Sequence, residues 1–197
     1  MGLPKRDIEF HNYADYLRWP EDCRYELIDG VAYAMAPAPT RRHQETVLEI
    51  ARQIANTLEG SPCRPYIAPF DVRLPRAGLD RPSDERINTV VQPDISVVCE
   101  RAKLDDRGCL GAPDWIIEVL SPATASHDQI LKRDLYERSG VREYWLIHVT
   151  DRLVTVYTLV DGAYGRPAIH ELTGELACGV LPQLSIDWGK LAPDEAG

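Results

Sequence analysis

The sequence predicts an α/β (α+β) fold in which a mixed β-sheet is flanked by helices, with an N-terminal hairpin and extra C-terminal strands. Three observations predict it. Strand-like segments at 66–74, 90–99 and 114–120 follow one another with no helix between them, which reads as an antiparallel meander. A helical segment, 127–139, then joins the third strand to a fourth at 143–148, and a crossover of that kind leaves its two strands parallel. A longer amphipathic helix, 43–58, precedes the whole set.

Each element has a local reason. His11 to Trp19 carries Asn12 as an N-cap and is stopped by Pro20. Arg24 to Met35 holds two alternating apolar runs around Asp29-Gly30, a dipeptide suited to a tight hairpin turn. Between His43 and Leu58, Val47, Ile50, Ala51, Ile54 and Leu58 share one helical face, with Glu45, Glu49, Arg52 and Asn56 outward. Tyr66 to Leu74 is a strand that Pro69 assigns to an edge or a bulge. Arg76 to Thr89 is polar, charged and aperiodic, and is expected to be the mobile loop of the chain.

Val90 to Cys99 is a strand entered through Pro93, and Glu100 to Ala112 is a polar connection. In the crossover, Leu131 and Leu135 face the sheet, and Ser139-Gly140 ends the helix before the strand Tyr144 to Ile147. Leu153 to Leu159 is a further strand, Asp161-Gly162 turns it, and Ala168 to Leu172 is expected to pair with a strand about Leu176.

At 197 residues the chain suits one domain, laid out as an N-terminal helix and hairpin (11–36), a core (43–148) and a C-terminal β extension (152–191). No apolar run approaches the roughly 20 residues a membrane span needs. The N-terminus lacks the apolar core of a secretory signal, so a cytoplasmic protein is expected. The cysteines, Cys23, Cys63, Cys99, Cys109 and Cys178, are odd in number and scattered, with no C-x-x-C pair. Buried thiols are expected rather than a disulfide framework or a zinc site. A net charge of −9 excludes a protein that coats nucleic acid by neutralising phosphates, but not an enzyme that touches it locally.

The stretch that carries chemistry is Trp115-Ile116-Ile117-Glu118-Val119-Leu120. An ionised Glu in a buried strand costs several kcal/mol unless it is paired, so Glu118 needs a partner: a cation, a basic side chain or a metal. Asp94, after Pro93, shares the period-two face of Ser96 and Val98, while Glu118 shares that of Ile116 and Leu120. If the two strands are neighbours, the two acids converge, and a hard divalent ion such as Mg²⁺ is the natural occupant between them. Lys132, one to two turns into the following helix, can reach back to Glu118, with Tyr136 four residues on. Each residue also has a plainer reading: Asp94 as a loop cap, Glu118 and Lys132 as a structural ion pair, Tyr136 and Trp145 as core. His43 can be a helix-start residue, Glu26 can pair with Arg24 or a neighbouring Arg, and Asp71 is a lesser candidate lining the same sheet.

The set YELIDG, His43, PFDVRL, VVQPDISVV, DWIIEVLSPAT, Asp128 to Lys132 and GVREYWLI, in that order from Arg24 to Ile147, resembles the Uma family, assigned to the restriction endonucleases within the PD-(D/E)XK nuclease superfamily. The resemblance implies a restriction-endonuclease-like αβββαβ core and a metal-dependent site hydrolysing phosphodiester bonds of DNA. It implies Mg²⁺ or Mn²⁺ held by Asp94, Glu118 and the Val119 carbonyl. It assigns the water-positioning role to Lys132, because Leu120 stands where the superfamily has its lysine, and it brings in Glu26 and His43 as accessory catalytic residues. A homodimer is expected by analogy, since two symmetric sites can cut both strands of a duplex. The alternatives are a non-catalytic binding or regulatory protein on this scaffold, or a phosphodiesterase acting on RNA or nucleotides.

Overall fold

Two seven-stranded sheets share the chain in the computed structural model, and the segment containing Asp94 passes from one to the other. The structure describes residues 6–7, 9–20, 24–35, 38–76, 78–79, 81–121 and 127–191. In chain order the elements begin with β1 (Arg6–Asp7), α1 (Tyr13–Tyr16), the hairpin β2 (Tyr25–Ile28) and β3 (Val31–Ala34), and the long helix α2 (Arg41–Thr57). There follow β4 (Arg64–Ile67), β5 (Val72–Arg73), β6 (Val90–Val91), β7 (Ile95–Val98), β8 (Leu104–Asp105), β9 (Gly108–Leu110) and β10 (Trp115–Val119). A π-helical turn, His127–Lys132, leads into α3 (Arg133–Ser139), and then come β11 (Glu143–His148), β12 (Leu153–Val160), β13 (Ala163–Tyr164), β14 (Ala168–Glu171), β15 (Glu175–Ala177) and β16 (Ser185–Asp187).

The core sheet has the order β13-β12-β11-β10-β7-β4, with β14 also on β12. Within it β4, β7 and β10 form the antiparallel meander, and α3 crosses over to set β11 parallel to β10. This is the expected αβββαβ arrangement. Period-two alternation assigns the two faces. Ile95, Val97, Trp115, Ile117, Val119 and Trp145 pack against Val47, Ile50 and Ile54 of α2, while Val98, Ile116, Tyr144 and Leu146 pack against Leu135 and Tyr136 of α3. Each fully buried aliphatic side chain contributes roughly 1.5–3 kcal/mol, which is what holds α2 on the sheet. Thr40 caps α2 through His43 N–H, and Gly140, with φ +87°, ends α3 in the left-handed conformation that suits glycine.

Several expectations need correction. Tyr66 to Leu74 is two strands, β4 in the core sheet and β5 in the second sheet; Val90 to Cys99 divides the same way into β6 and β7. Pro69 and Pro93 lie at the breaks, where a residue without an N–H cannot donate to a neighbouring strand. The second sheet runs β1-β3-β2-β6-β5-β9-β8, so the polar connection after Cys99 contains a hairpin of its own. Gly108 in that hairpin passes so close to Asp71 that a Cβ would collide with its carbonyl.

The segment Arg76 to Thr89 is tied in at its end. Ile87 is buried, its carbonyl accepts from Tyr13 N–H, and the Asn88 carbonyl accepts from Gly30 N–H at 2.7 Å. Arg76, Arg81, Ser83, Glu85 and Arg86 are exposed, and the burial is confined to its end at Ile87, Asn88 and Thr89. β14 pairs with β12, and the strand about Leu176 pairs instead with β16. Cys63 and Cys99 form a disulfide, against the expectation of free thiols. The antiparallel register of β4 and β7, with Arg64 opposite Val98, brings these two distant cysteines face to face. Cys109 and Cys178 are buried free thiols, as expected. Among the described residues no helix is long and apolar enough to cross a membrane.

Candidate active site

The antiparallel register of β7 and β10 pairs Ile95 with Ile117, so the next step sets Asp94 opposite Glu118. The two acids are interlocked through backbone amides. Asp94 N–H donates to Glu118 Oε2 at 3.2 Å, and Val119 N–H donates to Asp94 Oδ2 at 2.8 Å. In an extended strand the N–H and C=O of one residue point to the same side, so the Val119 carbonyl also looks toward Asp94.

Glu118 finds its partner on the crossover helix. Lys132 Nζ lies 2.9 Å from Glu118 Oε1 and 2.9 Å from Glu26 Oε1. Tyr136 OH donates to Glu118 Oε1 at 3.1 Å, and Gln92 N–H donates to Glu26 Oε1 at 3.0 Å. Glu26, Glu118 and Lys132 are each only 4% exposed, so this is a buried, hydrogen-bonded ion cluster. Lys132 lies one turn before Tyr136, on the stripe that Leu131 and Leu135 press against the sheet, and that burial aims its ammonium at the strand.

His43 enters from the first turn of α2. Its Nε2 lies 3.1 Å from Asp94 Oδ2, and since a carboxylate only accepts, the Nε2 tautomer carries the proton. The His43 and Asp94 side chains retain 12% and 20% exposure, so the cluster opens toward solvent at this end. Three carboxylates, Glu26, Asp94 and Glu118, thus surround one ammonium and one imidazole. With the imidazole neutral, negative charge exceeds positive by two. Among the described residues no three His, Cys, Asp or Glu side chains group closely enough to ligate a metal by themselves.

All five candidate side chains therefore come together, from five separate elements or junctions. Glu26 pairs with Lys132, and Arg24 donates to Gln92 Oε1 at 2.8 Å. Leu120 packs against the core. Asp71 lies outside the cluster. It accepts from Tyr13 OH, Tyr16 OH and Gln92 Nε2, and touches the site only through Gln92. Burial and the Asp71 carboxylate hold both tyrosines well above the ordinary phenol range. Trp145 is core, and its indole N–H donates to Glu143. The side chain of Asp128 lies outside the described residues.

Sequence reasoning missed two participants. Tyr136 was read as core, and it is, yet its hydroxyl reaches Glu118; its place four residues beyond Lys132 was the available signal. Gln92, whose backbone amide holds Glu26, carried no signal in its residue type.

Residues 13–189 match the Uma2 family model, described as "Putative restriction endonuclease". The chain belongs to the Uma2 family. The "Uncharacterized protein slr1290" of Synechocystis sp. is 27% identical over 148 residues, which cover 73% of this chain and 71% of that protein. Among solved structures, a "putative nuclease belonging to DUF820" from Anabaena variabilis superposes with a TM-score of 0.69 at 21% identity, covering 91% of this chain and 96% of that one. At that identity the likeness speaks for the fold, and the Uma2 match supports a nuclease.

Proposed function

We propose that this Uma2 member is a divalent-metal-dependent endonuclease that hydrolyses phosphodiester bonds of DNA. The observation that carries the reading is the cross-strand pair Asp94–Glu118 with Lys132 buried on Glu118. The donor set fits a hard cation. Asp94 Oδ1 makes no hydrogen bond among the described residues, and the carboxyl is partly open to solvent. Mg²⁺ commonly takes one or two carboxylates and completes its shell with water and substrate oxygens, so a third acidic ligand is not required. Asp94, Glu118 and the Val119 carbonyl would hold Mg²⁺ or Mn²⁺, which supplies Lewis-acid stabilisation of the phosphoryl oxygens and a more acidic water.

The chain's own residues have separate tasks. Lys132 orients Glu118 through its ammonium and would position the attacking water. Glu26 fixes that ammonium from the far side. His43, bonded to Asp94 through Nε2, would orient the Asp94 carboxylate.

The test is incubation of plasmid and oligonucleotide DNA with the protein and Mg²⁺ or Mn²⁺. Cleavage is expected with metal and not with EDTA, and Glu118→Gln, folded by circular dichroism, is expected to abolish it. Undiminished cleavage by Glu118→Gln overturns the site. The buried Lys132–Glu118 pair is also what a non-catalytic scaffold would retain, and that reading predicts no calorimetric binding of Mn²⁺ at millimolar concentration.

A further inference from the structure

The outer edge of the core sheet ends in β14, whose four residues, Ala168, Ile169, His170 and Glu171, are all exposed. Most edge strands are blunted by charge, proline or a bulge. Here Pro167 precedes the strand and Glu171 ends it, but at its centre Ile169 stands 62% exposed. β14 pairs only with β12 among the described strands, so one row of its backbone groups faces outward.

The register says which groups these are. Leu172 N–H donates to the carbonyl of Arg152, its partner in the same ladder, so the even-numbered residues Ala168, His170 and Leu172 turn their amides toward β12. Pro167, Ile169 and Glu171 therefore turn theirs outward. Proline has no N–H to offer, and the Glu171 carbonyl already accepts from Thr173 N–H at 2.8 Å. What remains open among the described residues is the Ile169 N–H and C=O, the Glu171 N–H and the Pro167 C=O.

We infer that this edge pairs with the same edge of a second copy, antiparallel, about a dyad at Ile169. In that register Ile169 exchanges both bonds with its counterpart, and each Glu171 N–H meets the other copy's Pro167 carbonyl. The donor missing at Pro167 falls opposite the Glu171 carbonyl that needs none. This match between gap and gap favours a second copy over an unrelated strand, which would leave one of its own acceptors facing the proline. The two Ile169 side chains come together on one face, and the edge stays short, so association is weak. A dyad of this kind reverses the strands of the second copy, so the site ends of the two β10 strands open in opposite directions. Such a dimer presents two separate sites and not a pair astride one duplex. The inference does not rest on the nuclease reading.

Sedimentation velocity from about 1 to several hundred micromolar decides it. The wild-type chain is expected to shift from monomer to dimer over that range. Ile169→Pro removes an outward donor and no bond to β12, and Ile169→Lys puts two cations at the dyad; both are expected to stay monomeric with unchanged circular dichroism. A wild-type chain that is monomeric throughout overturns the inference, as does a dimer that survives either substitution.

Discussion

Lys132→Met tests the centre of the buried cluster. Methionine keeps most of the side-chain volume and removes the ammonium, which leaves the Glu26 and Glu118 oxygens that shared it, each 2.9 Å from Nζ, without a cation. Two carboxylates roughly 5 Å apart repel by about 3 kcal/mol at an effective dielectric near 20. Removing one partner of a buried ion pair costs about 3–5 kcal/mol in all. For a chain of this size each kcal/mol moves the melting temperature by roughly 2–4 °C, so a fall of about 10 °C is expected at pH 7. The pH dependence has a definite sign. A carboxylate stripped of its cation in a buried site binds a proton more tightly when folded than when unfolded, so the variant loses stability as pH rises. The gap to wild type, read by thermal unfolding in EDTA, should widen from pH 5 to pH 8. A gap under about 2 °C, or one that does not change with pH, would show that Lys132 is not the counter-ion of this cluster.

The remaining expectations are smaller. Tyr136→Phe keeps a ring that is 0% exposed and removes only the hydroxyl on Glu118, so urea unfolding should report a loss of about 1.5–3 kcal/mol, the value of a hydrogen bond to a charged group. Burial pushes the Cys109 and Cys178 thiols up to about 12. In a Cys23→Ser background, a thiol reagent at pH 8 should therefore find nothing in the native protein and two groups after unfolding without reductant. Four groups would mean that Cys63 and Cys99 are not joined.

Much of the site could be read in advance because it obeys strand periodicity. Asp94 and Glu118 lie on strands consecutive in the sheet, and alternation alone sets both on one side. Lys132 was reachable because one helix turn relates it to the residues that face the sheet. Glu26 and His43 were within reach only through family resemblance, since a hairpin and a distant helix start say nothing locally about where they dock. Gln92 was invisible, for it acts through an amide that every non-proline residue has.

The sequence by itself determined the type and order of the elements around the site, because apolar periodicity, caps and turn dipeptides act over a few residues. Tertiary structure alone decided how those elements pair. Pro69 and Pro93 divide two apparent strands between two sheets, and strand register brings Cys63 to Cys99. β14 joins β12 and not the strand beside Leu176. Pairing partners are chosen by packing and by hydrogen-bond groups far apart in the chain, and no local pattern records that choice.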